Sequence, residues 1–175
     1  MRLIDVPTGT AELSRAEFCA IMAAFPTGVA VVTTVDEQGR PRGLTTNAVC
    51  SVSADPPVLL VCVDKEARTL PALRGAKAFV VNFLKEGRAE LGRVFASKHD
   101  EKFADVHWCW SPNGAPRLCE DALAYAECVT ERELDIGDHV IVIGNVVGGR
   151  APEPGERPLT YFRRTYGGFV DGPET

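Results

Sequence analysis

The sequence has few of the groups from which hydrolytic and acid–base sites are usually built. Three histidines, His99, His107 and His139, are scattered along 175 residues, and no paired-carboxylate motif accompanies them. Excess basic charge is also missing. The formal net charge of −5 is spread over both halves, so no cationic block stands ready to neutralise a phosphate backbone, and no nucleic-acid partner is expected. Wholly apolar runs such as Val58 to Val63 fall far short of the roughly 18 residues that span a bilayer. Met1 to Gly9 carries Asp5 and Pro7 instead of the apolar stretch of a secretory signal. No membrane span is expected, and the cytoplasm is the expected location. Neither Gly-x-Gly-x-x-Gly after a strand nor Gly-x-x-x-x-Gly-Lys-Ser/Thr occurs, so a bound nucleotide has to be held in some other way.

A close Cys-x-x-Cys pair is absent too. The six cysteines, Cys19, Cys50, Cys62, Cys109, Cys119 and Cys128, are scattered through a chain that is 45% hydrophobic and long enough to bury an ordinary core. A disulfide framework is therefore unnecessary, and free thiols are expected. His107, Cys109, Cys119 and Cys128 lack zinc-site spacing, so no metal is expected.

What is present reads as one domain over 1–175, with its core over about 15–169 and mobile termini. Ser14-Arg15-Ala16-Glu17 has the form of a capping box, followed by Phe18, Ile21, Met22 and Phe25 at helical spacing, which predicts a first helix over 15–24. Val29 to Val35, the turn residues Asp36 to Arg40 and an extended run after Gly43 predict a hairpin. Val58 to Val63 and Ala78 to Leu84 suit buried strands, with a short helix over Arg68 to Arg74 between them. A further helix is expected over Arg88 to Ser97, and a loop over Cys109 to Leu118. Ala124 to Thr130 and His139 to Val147 read as strands joined by a polar turn from Glu131 to Asp138. Five or six strands with few helices predict a mainly β fold with flanking helices, closed or nearly closed into a barrel, because closure removes exposed edges.

The segment Gly43 to Ser53 is unusual for a strand pair, because short and hydroxylated side chains replace the alternating large residues that fill a core. Two readings are open at this point. One is a flat heteroaromatic ring with a polar rim, such as flavin, lying against the backbone; the other is a Ser/Thr-rich edge hairpin facing water. His139, at the start of an apolar strand, is equally open between a structural and a ligand-facing role. Phe95, Phe103 and Tyr166 are open between packing and cofactor contact.

Phe25-Pro26-Thr27-Gly28-Val29-Ala30-Val31-Val32-Thr33-Thr34, then Gly43 to Ser53 and Pro56-Pro57, resemble the signature of the flavin reductase-like family with an FMN-binding split barrel. Asn82-Phe83-Leu84, Phe95, Lys102-Phe103, Gly114-Ala115-Pro116, Gly137-Asp138-His139, Leu159-Thr160-Tyr161 and Tyr166-Gly167 follow in the family's order. Cys50 departs from the pattern, where Ser or Thr is common. The resemblance implies a split β-barrel of Greek-key-like connectivity. It also implies flavin contact by Thr45, Thr46, Asn47 and Ala48, with Ser51, Val52 and Ser53 continuing the wall. Lys65, Arg68 and Thr69 are expected to meet a flavin phosphate, and Gly137 and Asp138 to present His139 to the nicotinamide. Phe103 and Tyr166 are expected to cover the cofactors.

The implied activity is reduction of exchangeable FAD or FMN by NADH or NADPH, with reduced flavin diffusing to a separate monooxygenase, and a homodimer is implied. Arg163 and Arg164 have no assigned place from which to meet the extra phosphate of NADPH, and NADH is favoured. Three other readings remain at this stage: a flavin-binding sensor or carrier without turnover, a split-barrel oxidase of a small amine or vitamin, and a barrel for small apolar ligands.

Overall fold

Ser14 opens the first helix with the expected capping box. Its Oγ accepts the Glu17 N–H at 3.2 Å and the Glu17 carboxylate accepts the Ser14 N–H at 2.9 Å, satisfying two donors that a helix start leaves free. The structure, a computed structural model, describes residues 13–170 and 172. The readings of Met1 to Gly9 and of the last residues (171 and 173–175) lie outside them. In chain order the elements are α1 (Arg15–Ala23), β1 (Thr27–Gly28), β2 (Ala30–Val35), β3 (Pro41–Thr46), β4 (Val49–Ala54), β5 (Pro57–Asp64), α2 (Leu70–Ala76) and β6 (Ala78–Leu84). Then come α3 (Ala89–Ala96), β7 (Cys109–Trp110), β8 (Pro116–Arg117), β9 (Ala122–Ile136), β10 (His139–Arg150), β11 (Leu159–Phe162) and β12 (Thr165–Gly168).

Seven strands form the main sheet in the order β3-β2-β6-β9-β10-β5-β4. Its two edge strands, β3 and β4, are consecutive in sequence, so the sheet curls round and the chain steps from one edge to the other through Thr46, Asn47 and Ala48. Two contacts hold that seam: the Cys62 N–H donates to Ala48 O at 3.0 Å, and the Thr46 hydroxyl donates to Cys62 O at 3.4 Å. The fold is thus a mainly β split barrel, with non-consecutive neighbours β2/β6 and β5/β10. No helix among the described residues is long and apolar enough to cross a membrane.

Strand β2 is buried on both faces, which is why its sequence is a near-continuous run of Val and Thr and not an alternation. Val32 joins Val61, Val63, Phe79, Val81, Val140 and Val142 in the barrel core, beneath Leu70 and Leu73 of α2. Val31 points the other way, into a second cluster with Leu84, Phe95, Leu118 and Leu159. Between the two faces sits the fully buried amide of Asn82. It donates to Val31 O and Thr33 Oγ1, both at 3.0 Å, and accepts the Leu118 N–H at 2.9 Å. The chain beyond β8 is thereby tied to the β2–β6 pair.

Four expectations are corrected. Glu131 to Ile136 is strand, not turn: its charged residues lie along an exposed arm that pairs with the start of β10, and the turn is only Gly137-Asp138, where Gly137 takes φ +55°. Cys109 to Leu118 is a two-stranded ribbon, β7 with β8, and the strands outnumber the five or six expected because such short pairs carry little periodicity. Cys109 and Cys119 are not free thiols. The ribbon brings their Cα atoms to 6.4 Å and they are disulfide-bonded, within the span such a bond covers.

Candidate active site

A cleft of about 440 Å³ opens at the barrel seam, within the roughly 300–1,000 Å³ of small-molecule sites. One wall is Leu44 to Ala48, where β3 ends and the chain crosses to β4. The opposite wall is the last residue of β5, Asp64, and the segment that leads from it into α2, including Glu66, Arg68 and Thr69. The C-terminal end of α3, Phe95 to Lys98, together with Lys102 closes one end, and His139 stands at the rim.

The hydroxyls of the wall are turned into the protein. Thr45 Oγ1 donates to Gly92 O at 2.7 Å, Thr46 Oγ1 to Cys62 O, and Thr69 Oγ1 to Gly43 O at 2.9 Å. Asn47 donates through its amide to Thr27 Oγ1 at 3.2 Å. These side chains lock the path of the main chain, leaving a wall of low relief. Gly43 is needed beneath it, because a Cβ there would lie 2.7 Å from Cε1 of the Phe95 ring.

Lys102, which entered the sequence reading only as part of a motif, reaches back across the fold. Its ammonium donates to Phe95 O at 2.8 Å and Gly43 O at 3.3 Å, meeting a carbonyl at the negative end of α3. Burial, with the neighbouring charge of Arg68, holds its pKa below the usual lysine range. Arg68 also lines the cleft and binds Lys98 O and the Asp100 carboxylate at 2.7 and 2.9 Å. His139 Nδ1 lies 2.7 Å from Asp138 Oδ1, and this hydrogen bond keeps the Asp138 carboxyl below its ordinary pKa. The cleft's Cys62 thiol is shifted the other way, upward, chiefly by burial, which makes it a poor nucleophile.

Of the residues expected at the site, Thr45, Thr46, Asn47, Ala48, Arg68, Thr69 and His139 come together in this cleft. Ser51 lines a neighbouring cleft with Phe25, Gly28 and Phe83, and Asn47 lines both clefts. Val52 is the extra residue of a bulge in β4 and is 53% exposed, and Ser53 follows it on the same edge strand. Lys65 turns to the β9–β10 turn, donating to Gly137 O at 3.0 Å and pairing with Asp135 at 3.4 Å. Phe103 stands behind the cleft, edge-on to Phe95 at 5.0 Å. Tyr166 packs against Gly92 of α3 under the Arg93 guanidinium. Gly137 and Asp138 form the turn beside His139.

The flavin reductase like domain family matches residues 22–169, from the end of α1 through β12. The chain belongs to that family. Among curated relatives, a flavin reductase (NADH) of Kitasatospora aureofaciens is 48% identical over 151 residues, covering 85% of this chain and 78% of the relative. A flavin reductase (NADPH) of Lentzea aerocolonigenes is 43% identical, covering 89% and 91%. The reductase component of a 4-nitrophenol monooxygenase of Rhodococcus opacus is 39% identical, covering 90% and 83%. Among solved structures, the NADH:FAD oxidoreductase of Streptomyces globisporus, in complex with NAD and FAD fragments, superposes with a TM-score of 0.85 at 32% identity, covering 94% of this chain and 100% of that one. A flavin reductase-like enzyme accounts for a cleft walled by main chain and short side chains.

Proposed function

We propose that the enzyme reduces exchangeable FAD or FMN with NADH in preference to NADPH, and releases reduced flavin to a separate monooxygenase. The observation that carries this reading is the seam cleft, in which the flat wall Thr45 to Ala48 faces the cations Arg68 and Lys102 with His139 at the rim. A planar ring fits the wall and a phosphate fits the cations, so the donor set suits a flavin nucleotide. When both nucleotides are bound, the nicotinamide supplies the hydride and the flavin accepts it.

The protein's part is alignment. The wall from Thr45 to Ala48 holds the ring plane by main-chain contact. Arg68 and Lys102 hold the phosphate end, with Thr69 fixing Gly43 between them. His139 binds the nicotinamide, and Asp138 is a positioning residue that orients its ring. Phe103 backs the Phe95 wall, and Tyr166 supports α3. Lys65, through the Gly137 carbonyl, steadies the turn that carries His139. Ser51, Val52 and Ser53 continue the flavin wall along the exposed edge strand β4, where a second subunit would meet it. Phe18, Ile21, Met22 and Phe25 of the α1 segment are each about half exposed or more, an apolar face that a second copy of the chain would cover to make a homodimer. A cytoplasmic location matches the use of soluble nicotinamide and flavin pools.

Loss of NADH absorbance, with FAD or FMN added in turn and NADPH run in parallel, tests the reading on the wild type and on His139→Ala. Flavin-dependent oxidation is expected, with the NADH KM of the variant raised about tenfold, equivalent to about 1.4 kcal/mol of binding, and the flavin KM unchanged. No turnover with any pair, despite tight flavin binding, would leave a carrier instead of a reductase.

A further inference from the structure

We propose that Cys109 and Cys119 are a reversible redox pair, oxidised by hydrogen peroxide, whose disulfide holds the 98–108 strap and its Lys102 closed on the cleft. The inference rests on reading that cleft as the flavin site.

The two sides of the β7–β8 ribbon are anchored unequally. The β8 side is bound to the barrel: Thr33 donates to Pro116 O, the Leu118 N–H donates to Asn82 Oδ1 at 2.9 Å, and Leu118 is fully buried. The β7 side is joined to β8 by a pairing only two residues long, by the Cys109–Cys119 bond and, at the tip, by Ser111, whose N–H and Oγ donate to Ala115 O at 3.0 and 2.6 Å. Upstream of it, residues 98–108 contain no helix or strand, yet they carry Lys102 to Gly43 O and Phe95 O. A row of edge-on rings runs from the ribbon to the cleft wall. Trp110 meets Trp108 at 4.9 Å, Trp108 meets Phe103 at 6.0 Å, and Phe103 meets Phe95 at 5.0 Å. Opening the bond removes the one covalent tie between the downstream end of this strap and the β8 side, leaving the two-residue pairing and the Ser111 bonds to hold it.

The sulfurs are placed to react. Both cysteines are partly exposed, and Arg117 Nε lies 3.4 Å from Cys109 Sγ; a fixed cation beside a cysteine sulfur favours the thiolate, the reactive form. Cys128, by contrast, is buried. Disulfides in a reducing compartment are usually transient, catalytic or redox-sensing. The oxidant arises from the activity itself, because reduced flavin that no oxygenase consumes gives up two electrons and two protons to dioxygen, forming hydrogen peroxide. The Cys109 thiolate attacks one peroxide oxygen, giving a sulfenic acid and hydroxide. The Cys119 thiol then attacks that sulfur, the S–S bond forms, and water leaves. A dithiol reductant reverses the step. Oxidation closes the strap, retains flavin and slows further loss of reduced flavin to dioxygen.

The test uses the full chain held in dithiothreitol or treated with peroxide. Thiol titration of the chain unfolded after treatment is expected to read six after reduction and four after oxidation, since the other four cysteines are free. The protein's two tryptophans flank Cys109, so tryptophan emission is expected to rise when the bond opens. The Kd for FAD is expected to rise at least about threefold on reduction, as an ordered strap is lost. Cys109→Ser and Cys119→Ser are expected to show the weaker Kd in both buffers. Six thiols after peroxide would overturn the proposal. An FAD Kd that responds to Lys102→Met but ignores the redox state overturns the redox pair alone, whereas a Kd that ignores both also overturns the reading of the cleft.

Discussion

Gly43→Ala probes the cleft wall from beneath. No positive φ is required at Gly43; the obstacle is the Phe95 ring, with Cε1 and Cδ1 at 2.7 and 2.9 Å from the position of an added Cβ, and Val32 O at 3.3 Å. Ordinary contact begins near 3.4 Å, so the ring must retreat by about 0.7 Å into a packed site. Retreat is resisted because Phe95 is 1% exposed and Phe103 stands edge-on behind it. Overpacking of this kind costs about 2 kcal/mol. With a urea m-value of about 2 kcal/mol per molar, the unfolding midpoint should fall by about 1 M with m unchanged. The flavin KM should rise in parallel, since Phe95 lines the cleft. Phe95→Leu makes room, and in the double variant the two costs should be less than additive by about 1 kcal/mol. Unfolding curves are to be compared at one protein concentration, because the midpoint of the proposed dimer would depend on it. A midpoint within about 0.2 M of wild type, or full additivity in the cycle, would refute the seating of Phe95 on Gly43.

Asn82→Leu removes the acceptor of the Leu118 N–H at a fully buried site, and is expected to lower stability by about 3 kcal/mol in urea unfolding. A loss under about 1 kcal/mol would show that the amide is replaceable by packing. Burial, followed by the charge of Glu127, pushes the Cys128 thiol from its ordinary 9.0 up to about 12. The unfolded chain therefore gives up this proton first as pH rises, and the stability that the protonated thiol provides is fully present below pH 9 and lost between about 9 and 12. Between pH 9 and 10 the wild type should lose about 1 kcal/mol more than Cys128→Ala, and parallel pH profiles of the two would contradict this.

Local signals carried much of the architecture. The capping box at Ser14 and Glu17, the Asp36 to Arg40 turn and the apolar run Ala78 to Leu84 each encode their own element, and the last has the bounds of β6. Relations between distant segments were not legible in the same way. Nothing local in Thr45 to Ser53 says that the segment divides at Asn47 and that its halves stand on opposite edges of a seven-stranded sheet. Glu131 to Ile136 is polar because the hairpin arm is exposed, so its composition imitated a turn. Pairing of Cys109 with Cys119 depends on a ribbon of two bridge pairs, too short to leave a period. Lys102 closes the cleft by bonding a carbonyl 59 residues earlier in the chain, which no spacing rule reaches. The apolar stripe of α1 has helical spacing but no buried residue within this chain, because periodicity marks an apolar face without naming what it packs on.

The position of the cleft follows from how the barrel closes. A fully hydrogen-bonded barrel would give every main-chain group at the seam to a neighbouring strand and leave a filled interior. Here β3 and β4 are not neighbours in the sheet order, and the chain between them is held by Thr46, Ala48 and Cys62 at single points. The short residues at the seam do two things at once. They send their own hydroxyls inward, to Gly92 and Cys62 carbonyls, and they keep large side chains out of the space in front of the backbone. A site built this way offers shape and main-chain polarity with few titratable groups. That is sufficient for hydride transfer between two bound nucleotides, where holding donor and acceptor in register replaces acid–base chemistry. The proposed reaction accords with the scarcity of histidine and the absence of a carboxylate-pair motif: in that reading His139 and Lys102 serve as fixed contacts, and neither has to exchange a proton during turnover.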